Sequence, residues 1–246
     1  MEQRFPIRIN RYLAVNKLAS RREADRLIEA GVVLVNGAPA VLGQQIGADD
    51  TVEISCGAPR EKKRYLAYYK GRGIITHSPA SHETDVATRL QHDYSISGVA
   101  PIGRLDKDSE GLLLLSDDGR ITGPLLDPQT GHEREYDVTV DKPLSGMFTK
   151  LMQTGVDIEG YRTKPAHVVP HPRDERRFRL TLTEGKKHQI RRMCAALGYQ
   201  VQTLKRVRIM NIELGALKPN QYRKITGAEL TEFLDALGVP AEEVKC

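Results

Sequence analysis

The sequence predicts an α+β protein in two parts, a small α/β domain at the N-terminus and a larger domain built on a mixed, mostly antiparallel sheet. Three observations predict it. A capping box (Ser20 with Glu23) and a tight-turn dipeptide (Asn36-Gly37) both fall within the first 59 residues, so a helix and a hairpin fit a short stretch. The run Arg60-Glu61-Lys62-Lys63-Arg64 follows Ala58-Pro59 and contains nothing to bury. From Tyr65 onward, apolar strand-like runs alternate with helical patterns. The expected organisation is a first domain over 1–59, a linker over 60–64 and a second domain over 65–246.

In the first domain, Ile9, Tyr12 and Leu13 have helical spacing. A second helix runs from Arg21 to about Ala30, with Gly31 as its stop. Val32–Val35 is an apolar, β-branched strand, and Val52 and Ile54 complete a small strand region. In the second domain, the strand runs are Tyr65–Tyr69, Gly111–Leu115, Tyr136–Val140 and Phe178–Leu182. Leu144, Phe148 and Leu151 share a helix face, as do Ile190, Met193, Cys194 and Leu197 before Gly198. Thr226 with Glu229 forms another capping box before Leu230, Phe233, Leu234 and Leu237.

The 246 residues are 39% hydrophobic, enough for a packed core. No apolar run reaches the 18 or so residues of a spanning helix, so no membrane partner is expected. The N-terminus, MEQRFPIRIN, has no apolar stretch of the signal-peptide kind. Cys56, Cys194 and Cys246 are odd in number and far apart, unlike a disulfide framework or a zinc site. A cytoplasmic, monomeric protein without metal is expected. The net charge of +5 is modest, but its placement is informative. Seven Lys and Arg and no acid lie between Gly185 and Ile212; seven more lie between Arg4 and Arg26 against Glu23 and Asp25. Either segment alone reads as a solvated helix face; together they suggest a polyanion.

Two segments carry chemistry. In Pro101-Ile102-Gly103-Arg104-Leu105-Asp106-Lys107-Asp108-Ser109-Glu110-Gly111, a charged loop leads into the apolar Leu112–Leu115. Burial of that strand holds the loop against the core while its side chains are displayed. Arg104 and Asp106, two apart, point to one side in extended geometry. A surface turn, or a metal pair of Asp106 and Asp108, would also fit the pattern, but no further ligand cluster accompanies the pair. In Glu184-Gly185-Lys186-Lys187-His188-Gln189-Ile190-Arg191-Arg192-Met193, a strand ends and a helix begins, presenting first-turn amides to an anion. Arg191 is turned about 100° from the buried Ile190, so it is partly desolvated and wants a carboxylate or phosphate partner.

Gly103-Arg104-Leu105-Asp106, Arg134-Glu135-Tyr136-Asp137-Val138, Gly185 through Met193 and Leu204-Lys205-Arg206 follow the order seen in rRNA pseudouridine synthases of the RsuA/RluB/RluF type. Residues 8–54 resemble the S4 RNA-binding domain that these enzymes carry at the front. The resemblance covers nearly the whole chain. Asp106-Lys107-Asp108-Ser109-Glu110-Gly111 and Arg208-Ile209-Met210-Asn211 look nearest to the large-subunit, 23S, RluF-like branch. The resemblance implies that Asp106 is the catalytic carboxylate that allows the N-glycosidic bond of a uridine to break and the base to rejoin through C5. Since no atom is gained or lost, no cofactor is required. It implies Arg191 as the partner of Asp106, Tyr136 as a platform against the target base, and Leu204 as a wall of the pocket. Arg104 is implied as the side chain filling the gap left by the extruded uridine. Packing on the core is the commoner fate of a strand tyrosine such as Tyr136, and a core role is an equally good account of Leu204. Arg8, Arg11, Arg21, Arg22, Arg26, Lys186, Lys187, Arg192, Lys205 and Arg206 are the expected RNA contacts. Ribosomal RNA is the expected partner, with tRNA as a second candidate.

One departure stands out. The family has Asn-Lys-Pro in the first strand of the catalytic domain, where this chain reads Tyr69-Lys70-Gly71-Arg72-Gly73. Other signals are weak: prolines rule out a helix aligning His167 with His171, and the seven histidines read as scattered structural or surface residues. Two rival readings remain at this level. A non-catalytic S4-domain ribosome-binding or assembly protein has no use for Asp106 beside Arg191. A glycoside hydrolase would want two carboxylates flanking its bond.

Overall fold

The computed structural model describes residues 5–55, 62–77 and 83–240. Arg4, Cys56, Cys246 and the Arg60-Glu61 part of the expected linker lie outside the described residues. The chain divides into two compact units. The first comprises Met1–Lys63, Asp118–Pro124 and Leu234–Cys246; the second comprises Arg64–Asp117 and Leu125–Phe233.

The first unit begins with β1 (Ile7–Arg8), α1 (Ile9–Val15) and α2 (Arg21–Glu29), followed by β2 (Val33–Val35), β3 (Ala38–Pro39), β4 (Gln45–Ile46) and β5 (Val52–Ile54). The capping box of α2 is made in both directions: the Glu23 amide donates to Ser20 Oγ at 3.3 Å, and the Ser20 amide to Glu23 Oε2 at 3.4 Å. Asn36 and Gly37 both adopt positive φ, 52° and 77°, as the two-residue turn between β2 and β3 requires. Asn36 also accepts the Thr51 amide and donates to Asp50, which ties the hairpin to β5. Ile9, Leu13, Ala24, Ile28, Val33 and Ile46 form the core. Two later stretches join this unit through close contacts. Lys17 donates to the carbonyls of Leu237 and Gly238, and Gly119 approaches Ser20 so closely that a Cβ there would lie 2.4 Å from that of the serine.

The second unit contains β6 (Tyr65–Lys70), α3 (Val86–Tyr94), β7 (Ala100–Ile102), β8 (Glu110–Ser116), β9 (Arg134–Val140), α5 (Gly146–Thr154), β10 (Asp157–Ile158), β11 (Tyr161–Arg162), β12 (His167–Pro170), β13 (Arg177–Leu182), α6 (Gln189–Ala196), β14 (Val201–Ile209), β15 (Ile212–Glu213) and β16 (Tyr222–Lys224); α4 (Thr122–Leu126) and α7 (Gly227–Ala236) straddle the division. The main sheet has the order β12-β13-β9-β14-β8-β6-β16, with β7 against β8 and β15 against β14. All its pairings are antiparallel except β14 with β8. As an interior strand, β8 is buried from Gly111 to Ser116; each of its leucines contributes about 1.5–3 kcal/mol by burial.

The parallel pairing is brief, Lys205 with Glu110 and Arg206 with Gly111. Gly111 has φ 105°, and a Cβ there would lie 2.2 Å from the Arg206 carbonyl oxygen. Where the ladder stops, the Arg206 side chain continues it, with Nε donating to the Leu112 carbonyl at 2.7 Å. One core packs β6, α3 and β8 through Leu66, Tyr68, Leu90 and Leu113. Another packs β9, α5, β13, α6 and β14 through Val138, Phe148, Leu180, Met193 and Leu204.

The C-terminal capping box is not made. Glu229 instead receives both terminal nitrogens of Arg223, at 2.6 and 2.7 Å. A bidentate guanidinium is the stronger partner for that carboxylate.

Candidate active site

Asp106 lies on the loop between β7 and β8, and the backbone on either side of it is fixed. Leu105 is buried, and both its polar groups meet Thr76: the amide donates to Oγ1 at 3.0 Å and the hydroxyl donates to the Leu105 carbonyl at 2.7 Å. The Lys107 carbonyl accepts from the Gly73 amide at 2.8 Å and from Lys70 Nζ at 3.4 Å. The Ser109 amide closes the turn on the Asp106 carbonyl at 3.1 Å. Between these anchors the Asp106 side chain is 39% exposed, and Arg104 is exposed. A charged pair thus flanks a buried leucine, as extended geometry predicts.

Lys70 is fully buried beneath this loop. Besides Lys107 it donates to the carbonyls of Gly71 at 3.0 Å and Ile74 at 2.8 Å. Burial pushes its ammonium down to about 8, against the opposing pull of Asp106, Asp108 and Glu110. The missing proline has a local explanation. The Gly71 amide donates to Asn220 Oδ1 at 3.2 Å, and a Cβ at Gly71 would stand 2.8 Å from that oxygen. A proline would remove the donor and occupy the space.

The second wall comes from the turn between β13 and α6. Glu184 is buried and accepts from Tyr161 Oη at 2.5 Å, Gln189 Nε2 at 2.7 Å and the Lys164 amide at 3.0 Å. Gln189 in turn accepts the Lys186 amide at 2.8 Å. On this braced turn His188 brings Nε2 to 3.4 Å from Asp106 Oδ1.

The expected pairing of Arg191 with Asp106 is corrected. Among the described residues no ion pair joins them within 4.0 Å; the guanidinium meets the Val201 carbonyl at 3.3 Å, and the Asp108 carbonyl and Ser109 Oγ at 3.4 Å each. Arg191 is half-buried as its helical position predicts, and neutral oxygens of the loop and of β14 answer its need for acceptors. Tyr136 is half-buried on β9 and packs against the core, opposite Leu180 on one side and Arg206 on the other. Through Arg206 it is two strands from Gly111, roughly 10 Å across the sheet. Leu204 is buried in that same core. Among the described residues no group of three or more His, Cys, Asp or Glu side chains is placed to hold a metal ion.

With this geometry in hand, the RNA pseudouridylate synthase family matches residues 64–196, and the S4 domain matches residues 7–52. The chain belongs to the RNA pseudouridylate synthase family. The dual-specificity RNA pseudouridine synthase RluF of Escherichia coli K12 is 37% identical over 97% of this chain and 82% of its own length. An uncharacterized RNA pseudouridine synthase of Bacillus subtilis, YtzG, is 35% identical over 91% of this chain and 97% of its own. A crystal structure of a pseudouridylate synthase superposes with a TM-score of 0.66 at 27% identity, covering 94% of this chain and 99% of that one. The enzyme is therefore an isomerase with an RNA substrate.

The pseudouridine synthase holds its cations in two ways. Arg8, Arg11, Arg21, Arg22 and Arg26 of the S4 domain are all exposed, and none has an ion pair among the described residues. Lys187 is likewise exposed, while Lys186 lies over the Tyr161 ring at 4.6 Å and Lys205 over the Tyr69 ring at 5.2 Å. One expected RNA contact is corrected. Arg206 is 5% exposed and fills the gap between β8 and β14, so it is not available to a phosphate. Arg192 is held by Glu159 at 2.7 Å and by the Ile158 carbonyl at 3.3 Å.

Sequence reasoning assigned His188 and Glu184 no role. A histidine at a helix start gives no signal by itself. The burial of Glu184 depends on Tyr161 and Lys164, whose approach periodicity does not reveal.

Proposed function

We propose that this enzyme converts a uridine of ribosomal RNA, in the large subunit, to pseudouridine, with Asp106 as the catalytic carboxylate. The observation that carries the reading is a loop pinned by Thr76, Gly73 and Lys70 that holds the Asp106 carboxyl, still partly open, beside a basic helix start. A preorganised anion of this kind can act at the sugar or base so that the glycosidic bond breaks; the uracil then turns and rejoins through C5. Arg191 contributes positive charge at the loop, through Asp108 and Ser109 rather than through Asp106 itself. Tyr136 receives the base, Leu204 backs the pocket, and Arg104 fills the space of the extruded nucleotide. The energy of extrusion is offset by phosphate contacts from the S4 arginines, Lys186 and Lys187.

The substrate class follows from the relatives. A Bacillus subtilis relative, 31% identical over 91% of this chain, is named ribosomal large subunit pseudouridine synthase B. The dual specificity in the name of the Escherichia coli relative makes tRNA the second RNA to test. The division of labour places RNA capture in residues 1–59 and chemistry in residues 65–246, in a monomer acting in the cytoplasm.

The test is tritium release from 5-³H-uridine-labelled 23S and 16S rRNA. Asp106→Asn should lower the rate about 10³-fold or more while RNA binding persists. A variant that still releases tritium at the original rate overturns the assignment. A wild-type enzyme that binds both RNAs and releases none makes the chain a binder alone.

A further inference from the structure

We propose that His188 is a positioning residue for the Asp106 carboxylate, an inference that rests on Asp106 being the catalytic group. Nε2 of His188 stands 3.4 Å from Oδ1. Among the described residues, no other side chain forms an ion pair or hydrogen bond with that carboxyl. The second oxygen is left to the substrate. A carboxylate on a single rotatable bond has two faces to offer, and a cation or donor fixed at one oxygen decides which of them meets the sugar. Core packing does not force the contact, since the side chains of His188 and Asp106 are 49% and 39% exposed.

The backbone at this position accepts a histidine without requiring one. Residue 188 has φ 52° and ψ 27°, the left-handed region that glycine, asparagine, aspartate and histidine enter more readily than other residues. It is also the N-cap of α6 and makes no side-chain capping bond, where Ser, Thr, Asp or Asn would. Asparagine suits the same backbone but is shorter than the imidazole, whose Nε2 reaches toward Asp106. The base beneath it is rigid, because Glu184 gathers Tyr161, Lys164 and Gln189 around the turn. A rigid base is what a positioning group requires. The competing role for an exposed histidine next to Lys186 and Lys187 is a phosphate contact. That role acts on RNA affinity, whereas orientation of the carboxylate acts on the chemical step.

The experiment is single-turnover tritium release from 5-³H-uridine-labelled rRNA over a range of enzyme concentrations, using the full chain. His188→Ala should lower the maximal rate about 10- to 100-fold while the half-saturating concentration moves less than about threefold. His188→Asn accepts the left-handed backbone but is too short to reach Oδ1, so it should stay as slow as alanine. His188→Gln ends in an amide nitrogen where the imidazole has Nε2, and should recover most of the rate. A change confined to the half-saturating concentration overturns the proposal in favour of a phosphate contact. Rescue by Asn and not Gln overturns it in favour of a backbone role, and wild-type rates in all three variants also overturn it. Asp106→Asn in the same assay separates the two levels. If it is inert while the His188 variants are fully active, only the role of His188 falls; if it is active, the parent reading falls.

Discussion

The arginines of the N-terminal helices and the cations around the catalytic loop are the same residue types in opposite circumstances. On α1, α2 and the strand before them, apolar residues at helical spacing face one core, and Arg8, Arg11, Arg21, Arg22 and Arg26 face water without partners among the described residues. In the catalytic unit, Lys70 is spent on three carbonyls, Arg206 on a sheet opening and Arg192 on Glu159. The first set can attract a polyanion, at low affinity per charge and in a salt-dependent way. The second set is committed to bonds within the fold of its own unit. A count of Lys and Arg along the chain merges the two.

The largest effect of breaking this contrast is expected at Lys70. Lys70→Met leaves the Gly71 and Ile74 carbonyls without the donor they have now and the Lys107 carbonyl with the Gly73 amide alone; it should destabilise the fold by about 1–3 kcal/mol, with activity falling as the loop loosens. The lysine binds its proton more weakly in the fold, near 8, than unfolded, near 10.5. The unfolded chain therefore holds more protons between those values, and the stability contributed at this site rises with pH across the window. Thermal melts of both proteins at several pH values should show the cost of Lys70→Met growing from pH 8 to 10.5. A constant difference would mean the lysine is not shifted.

Next in size, replacing both Arg21 and Arg22 with Glu should weaken RNA binding about 10- to 100-fold and lower the salt slope of log Kd by about 2. Melting should be unaffected, because both side chains are exposed. The smallest effect is expected at Arg192. Arg192→Ala should alter the salt slope less than Lys187→Ala does, and cost about 0.2–1 kcal/mol of stability. Titration of RNA at several salt concentrations reads both, and equal slopes would show that the ion pair with Glu159 opens when RNA binds.

Much of this architecture was legible in the sequence because it is written in local patterns. The α2 capping box, the Asn36-Gly37 turn, the apolar β8 and the Ile190–Met193 face of α6 all appear where periodicity and turn chemistry place them. The failures are competitions between partners that periodicity does not rank. Glu229 was free to cap Thr226 until Arg223 took it. Arg191 was expected on Asp106 and instead meets the oxygens of Asp108, Ser109 and Val201. Arg206 read as a surface cation because its burial depends on where β8 and β14 part. At the site, the loop that displays Asp106 beside a buried leucine was legible and the surroundings of that side chain were not. His188, Thr76 and Glu184 reach their positions only through the closure of the loop and the turn.

The glycine at position 71 has a consequence for folding order. A proline would set the bend after β6 from within the chain, narrowing the unfolded ensemble as well. Here the Gly71 amide depends on Asn220, 149 residues further on, and the Lys70 ammonium bonds within the bend reach only carbonyls, so that donor stays open until the distant contact forms. The segment that cradles the catalytic loop should thus acquire its shape late, once the C-terminal strand docks. An amide-protection time course would register Gly71 among the last to become protected, together with β16 rather than with its own strand.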